Sequence, residues 1–137
     1  MIKAMFVNLA VNDLARSKAF FEAIGFTFNP QFTDDTAACM VIGDNMYAML
    51  LTHAKFSQFT PKPIADARTS TEVLTALAVD SKAAVDAVME KALAAGGREP
   101  RPMHDHGFMM QRSLEDLDGH IWEIFWMDPA FVQPQPA

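Results

Sequence analysis

Glu123 is a lone carboxylate inside the most apolar strand candidate of the chain, His120-Ile121-Trp122-Glu123-Ile124-Phe125-Trp126. Side chains of a strand alternate between faces, so Ile121, Glu123 and Phe125 share one face and Trp122, Ile124 and Trp126 the other. Removing a bare carboxylate from water is costly unless it finds a partner. Glu123 must therefore look at water, a pocket, a cation or a partner group. In an apolar hollow, desolvation raises a carboxylate's pKa; it can then act as a general base or hold a ligand's polar end near neutral pH. Glu123 is the candidate catalytic residue on that reading. The plainer reading is a salt bridge or a wet rim. Arg112, in the strand candidate 108–114 that should pair with the Glu123 strand, would then either neutralise Glu123 or hold a carboxylate-bearing ligand.

The other chemically able residues offer less. His104-Asp105-His106 could set two imidazoles beside a metal, but it sits next to Gly107 with no further donor close in sequence, and a solvated loop is the simpler reading. His120 alternates away from the Glu123 face. His53 falls at a strand end. Cys39 lies in an apolar strand with no basic neighbour, which describes an inert core thiol rather than a nucleophile. Lys82, Glu90 and Lys91 read as a solvated helix face.

These residues are carried by 137 positions, enough for one domain with a sizeable core. A net charge of −6 gives no nucleic-acid footprint. No apolar run is long enough to span a membrane, and the N-terminus lacks a signal-peptide pattern. A single Cys excludes an internal disulfide framework and fits a reducing cytoplasm. The 10 Met and 11 Phe are expected mostly in the core, with a soft pocket lining as the alternative.

The elements repeat. Residues 6–11 alternate as a strand, and Asp13 reads as the N-cap of a helix carrying Leu14, Phe20, Phe21 and Ile24, stopped by Gly25. Residues 73–79 are again a strand. Asp80 or Ser81 caps a helix with Val85, Val88, Met89 and Ala92 on one stripe, stopped by Gly96-Gly97. Each helix is followed by short strand candidates: 26–28, 37–42 and 47–52 in the first half, a piece near Arg98, 108–114 and 120–126 in the second. Gly43-Asp44-Asn45 and Asp118-Gly119 are turns. The organisation is one domain of two βαβββ modules, about 1–53 and 72–128, joined by a linker of about 54–71 with a helical turn near 54–59. A Pro- and Gln-rich tail, 129–137, is expected to fray.

The run Val11-Asn12-Asp13-Leu14-Ala15-Arg16-Ser17-Lys18-Ala19-Phe20-Phe21-Glu22-Ala23-Ile24-Gly25-Phe26 resembles the opening of the vicinal oxygen chelate superfamily. That superfamily contains glyoxalase I, the bleomycin-resistance proteins and the extradiol dioxygenases. Asp116-Leu117-Asp118-Gly119-His120-Ile121-Trp122-Glu123 resembles its last turn and strand. The resemblance covers nearly the whole chain and is nearest the lactoylglutathione-lyase-like group. It implies an α+β fold in which paired βαβββ modules form a curved mixed sheet around a cavity, usually in a homodimer.

The resemblance also implies where a metal would bind, and there the chain departs from the pattern. The first-strand donor position falls on Phe6, the first-module Glu position on Leu50, and the second His position on Leu74. Only the final Glu is matched, by Glu123. Phe and Leu offer no lone pair, so no cofactor is expected, and a divalent metal is disfavoured. On that count the ligand-binding candidates are Phe6, Asn8, Leu50, Thr52, Leu74, Arg112 and Glu123, lining either an apolar hollow or a filled core in which Glu123 pairs with Asn8, Arg112 or water.

Three functional readings follow. One is a superfamily member that binds a small molecule without the usual metal, as a sequestering module or as an enzyme working through Glu123. Another is a metal-dependent lactoylglutathione lyase of the glyoxalase I type. The last is a dimeric structural or interaction protein with a vestigial cavity. A shared fold does not choose among them.

Overall fold

The computed structural model describes residues 1–131, which form two compact units dividing after Ser70. The first contains β1 (Met5–Val11), α1 (Leu14–Ile24), β2 (Thr27–Asn29), β3 (Ala37–Gly43), β4 (Met46–Thr52) and the single-turn α2 (His53–Phe56). Its sheet has the order β1-β4-β3-β2, with β1 parallel to β4 and the other pairs antiparallel. The second contains β5 (Leu74–Ala78), α3 (Lys82–Ala94), β6 (His104–Asp105), β7 (Met109–Glu115) and β8 (Ile121–Met127). Its order is β5-β8-β7-β6, with β5 parallel to β8. The fold is α+β, and the strand–helix–three-strand plan occurs twice, as the residue pattern requires.

Local chemistry sets the helix bounds. The Asp13 carboxylate accepts from Arg16 N at 3.1 Å, and Gly25 closes α1 at φ 121, a region that favours glycine. In the second unit the cap is Ser81, whose hydroxyl accepts from Ala84 N at 3.0 Å, rather than Asp80. Each helix covers one face of its own sheet. Phe20, Phe21 and Ile24 of α1 are buried, as are Leu9, Ala38, Met40, Ala48 and Leu50, which share one sheet face by register. Lys18 of α1 lies over the Phe28 ring on that same face. In the second unit Val85, Met89 and Ala92 are buried together with Trp122, Ile124, Leu114 and Met110.

Several expectations are corrected. Met and Phe are not mainly core: Met40, Met89 and Met110 are buried, whereas Met1, Met5, Met46, Met103 and Met127 are exposed, with Phe6, Phe32, Phe59, Phe108 and Phe131. His104 and Asp105 are not loop residues but an edge strand, paired with Gln111 and Met110. The first part of the tail is held, because Phe131 stacks on Phe108 with ring centres 4.1 Å apart; the rest of the tail, 132–137, lies outside the described residues. The helical turn after β4 is present as α2, capped by Thr52 Oγ1 accepting from Lys55 N at 3.2 Å.

A buried carboxylate ties the β7–β8 turn. Asp116 Oδ1 accepts from Asp118 N at 2.9 Å and His120 N at 3.0 Å, and its Oδ2 accepts from Trp122 Nε1 at 3.0 Å. Burial pushes the Asp116 carboxyl above the usual aspartate range, and the nearby His120 and the Trp122 hydrogen bond pull it back. Gly119 takes φ 94 at the turn, and its N–H donates to Asp116 O at 3.1 Å. His120 is 6 % exposed and its Nδ1 lies 2.6 Å from Glu72 Oε1. Asp116→Ala leaves three donors without their acceptor, and an unsatisfied buried group costs about 1–3 kcal/mol. We expect a loss of about 3 kcal/mol in urea denaturation, against less than about 1 kcal/mol for the exposed cap variant Asp13→Asn.

Candidate functional site

The face of the second sheet opposite α3 carries Glu123. Register fixes its neighbours. Ala76, Glu123 and Ser113 lie side by side across β5, β8 and β7. The next row holds Ala78, Phe125, Gln111 and His104, and the row on the other side Leu74, Ile121 and Glu115. Glu123, Ile121 and Phe125 are half-buried, whereas Ala76 and Ala78 are exposed and Leu74 is 57 % exposed. The helix face of the same strand is closed, with Trp122 and Ile124 at 1 % and 2 %. Among the described residues the Glu123 carboxylate enters no ion pair. It stands on a mixed surface, beside Ile121, Phe125, Leu74 and two alanines, with Ser113, Gln111 and Glu115 on the same face.

The expected Arg112–Glu123 pair does not form, and parity is the reason. Arg112 stands opposite Ile124 in the β7–β8 ladder, while Glu123 stands opposite Ser113. Arg112 therefore projects to the α3 side. There it donates to Glu99 through Nε (2.9 Å) and Nη2 (2.8 Å) and to Asp86 through Nη1 (2.9 Å). The guanidinium, with 16 % of its side chain exposed, is held charged by these two carboxylates, and Arg112 in turn holds Glu99 below the usual glutamate range. A groove of about 730 Å³ opens here between α3, β7 and the segment from Glu99 to Met103. Lys82, at its rim, is likewise committed, to Asp105 at 2.9 Å. Arg112 and Lys82 are thus paired from within, while Arg101, which also lines the groove, meets the His104 ring; Arg112 is not available to a carboxylate ligand without displacing an internal one.

The first sheet shows a second correction. Phe6 and Asn8 stand opposite Tyr47 and Met49, whereas Leu50 stands opposite Leu9. Phe6 and Asn8 thus lie on the face away from α1, Phe6 52 % exposed and stacked on Tyr47 with ring centres 4.6 Å apart. Leu50 lies on the helix face at 0 % exposure, and Thr52 shares that parity and caps α2. Leu50 and Thr52 therefore do not share a face with Phe6, because a shift of one residue exchanges the faces; Tyr47 and Met49 are the β4 residues on the Phe6 face. Leu74 does lie on the Glu123 face of its own sheet, next to Ile121.

With this geometry in hand, the relatives can be named. Residues 3–43 match the family model described as bleomycin resistance protein-like N-terminal. No curated protein sequence matches the chain. Among solved structures, a hypothetical protein, SA1046, from S. aureus is 28% identical with a TM-score of 0.77, covering 92% of this chain and 95% of that one. A glyoxalase-related enzyme from Fulvimarina pelagi is 23% identical with a TM-score of 0.76, over 92% and 88% of the two chains. A glyoxalase/bleomycin resistance protein/dioxygenase family enzyme from Burkholderia phytofirmans PsJN is 19% identical with a TM-score of 0.73, over 89% and 96%. The architecture is that of the paired-βαβββ proteins. The chain shares its fold with these proteins of the glyoxalase/bleomycin-resistance/dioxygenase superfamily, and its residues 3–43 are similar to the bleomycin resistance protein-like N-terminal model.

The metal of that superfamily can be tested against the donors present. Phe6 and Leu74 have no lone pair to give, and on the Phe6 face of β4 stand Tyr47, Met49 and Leu51 rather than a carboxylate. Among the described residues no group of three His, Cys, Asp or Glu converges. A divalent ion needs several N, O or S donors, so these positions do not fit one.

The Arg112 fork sets a pH dependence. Because Glu99 has its folded pKa depressed, its contribution is present above the ordinary value of about 4.5 and is lost as pH falls through the lower folded value. Wild type should exceed Glu99→Gln in stability by about 2 kcal/mol at pH 7. That difference should shrink steadily below pH 4.5; urea titrations at several pH values measure it, and a gap that persists at pH 3 would contradict the assignment.

Proposed function

We propose that this superfamily member binds a small, largely apolar molecule with a hydrogen-bond-donating or basic end, without the usual metal, on the face that carries Glu123. The observation behind this reading is the unneutralised Glu123 carboxylate, half-buried between Ile121 and Phe125 and flanked by Leu74 and Ala76. A structural salt bridge would have supplied a cation, and Arg112 is spent elsewhere. Apolar walls with few polar points are the usual composition of a ligand site. If there is turnover, Glu123 is the residue placed to move a proton, and the activity is lyase-like or otherwise metal-independent.

The proposed assembly is a homodimer in the cytoplasm. Exposed Phe6, Met46, Leu74 and Met127 leave more apolar surface in water than a small monomer ordinarily carries, and the one Cys, buried and unpaired, suits a reducing compartment. No helix among the described residues is long and apolar enough to cross a membrane.

A thermal-shift screen with small hydrophobic amines, hydrophobic acids and thiol conjugates tests the ligand. Saturation at a hundred times Kd stabilises by about 2.7 kcal/mol, a readily seen rise in Tm. Glu123→Gln should erase the response to the ligand while changing the free protein by no more than about 0.5 kcal/mol. A strongly destabilised Glu123→Gln, with neither protein answering any compound, would end the idea. Light scattering at micromolar concentration should give the mass of two chains; a monomer there argues against the assembly. Elemental analysis that found one metal per chain, lost on Glu123→Gln, would restore the metal-dependent lyase.

A further inference from the structure

We infer that His104 and His106 form a binding site for one divalent transition ion of the imidazole-preferring kind, copper(II), nickel(II) or zinc(II), on the edge strand of the second sheet. The site is separate from the Glu123 reading and does not depend on it. The two imidazoles are two residues apart on a strand, so they leave the backbone on the same side. The backbone is fixed by pairing: His104 opposes Gln111, and His106 N donates to Met109 O at 2.8 Å. The residue between them is pinned to the other side, where Asp105 accepts from Lys82 Nζ at 2.9 and 3.1 Å and from Gly107 N at 2.8 Å.

The ring separation lies within reach of a shared ion, once the rings turn so that their planes meet at it. The His104 and His106 centres are 6.1 Å apart with planes 22° from parallel, and the Phe108 ring flanks His106 at 6.2 Å. A metal sits 2.0–2.1 Å from a ligating imidazole nitrogen, in the ring plane and about 3.2 Å from the ring centre, so two rings can share one ion only when their centres come within about 6.4 Å, closer for a tetrahedral ion, and their planes meet at it. Both side chains are exposed and can turn about their terminal torsion to aim a nitrogen at it. Gln111, opposite His104 on the same face, offers an amide oxygen as a third donor, and water completes the shell. Arg101 Nη2 lies 2.6 Å from His104 Nε2. That contact preserves Nε2 as an acceptor and is the one protein group an ion must displace. Imidazole sets of this kind favour copper over nickel and zinc in the ordinary affinity order.

The test is calorimetric titration of the full chain with Ni²⁺ and Cu²⁺, with electron paramagnetic resonance of the copper form as an independent readout. One ion per chain is expected, with nitrogen hyperfine structure from two imidazoles. His104→Ala and His106→Ala should each weaken binding at least tenfold; Arg101→Ala should bind as tightly as wild type or more tightly; Glu123→Gln should bind as wild type. Binding that survives both histidine substitutions, weakens on Arg101→Ala, or disappears in Glu123→Gln would overturn the assignment, as would no binding to the wild-type chain. Both histidines are exposed, so loss of fold does not confuse the result; His53→Ala, which also removes an exposed imidazole, serves as the control and should leave the affinity unchanged.

Discussion

Asp116 fixes the register on which the second unit's chemistry depends. Its two carboxylate oxygens gather Asp118 N, His120 N and Trp122 Nε1 at the start of β8. Three donors thus share one buried carboxylate, which fixes how the turn is arranged. The Trp122 ring is thereby placed on the α3 side. Since side chains alternate, Glu123 must then face the opposite way. A slip of one residue would bury the carboxylate beneath α3 and expose both tryptophans, which is why the ladder tolerates a single register.

The same parity separates the two charged centres of the unit. Arg112 falls on the closed face and is consumed by Glu99 and Asp86. Glu123 falls on the uncovered one, with Ser113, Ala76 and two half-buried apolar neighbours. A carboxylate with no cation beside it is poor structural material and good recognition material. It repels wrong anions, and its desolvation is repaid only by a partner that brings a donor. In the groove beside α3, Arg112 and Lys82 are held by carboxylates of the protein itself, which leaves them less open to a ligand.

Metal chemistry divides along similar lines. At three of the positions where the resemblance places the superfamily's donors stand phenylalanine and leucine, side chains that no divalent ion can use; Glu123 matches the last. Of the two histidines that stand close together, His104 lies in β6 and His106 just after it, both held in line by backbone pairing to β7. Their nearness follows from a strand that the residue pattern does not announce: two residues beside Gly107, exposed on both faces, carry no hydrophobic period.

The helices, their caps and stops, the duplicated plan and the Asp118-Gly119 turn were legible in the residues, because each depends on interactions within a few positions: a side-chain oxygen on a nearby N–H, a glycine at positive φ, an apolar stripe at helical spacing. The face of Glu123, Ile121 and Phe125 was legible as well, since it needs only alternation within one strand. The partners of that face were not. Which residue of β4 accompanies Phe6, and whether Arg112 meets Glu123, depend on register between strands far apart in sequence. A one-residue phase error there reverses every contact, as it did for Leu50 and Thr52. The exposure of half the methionines, and the meeting of Glu72 with His120 at 2.6 Å, were likewise decided by tertiary structure. The sequence by itself determined which groups could do chemistry; only the pairing of distant strands decided which of them share a face.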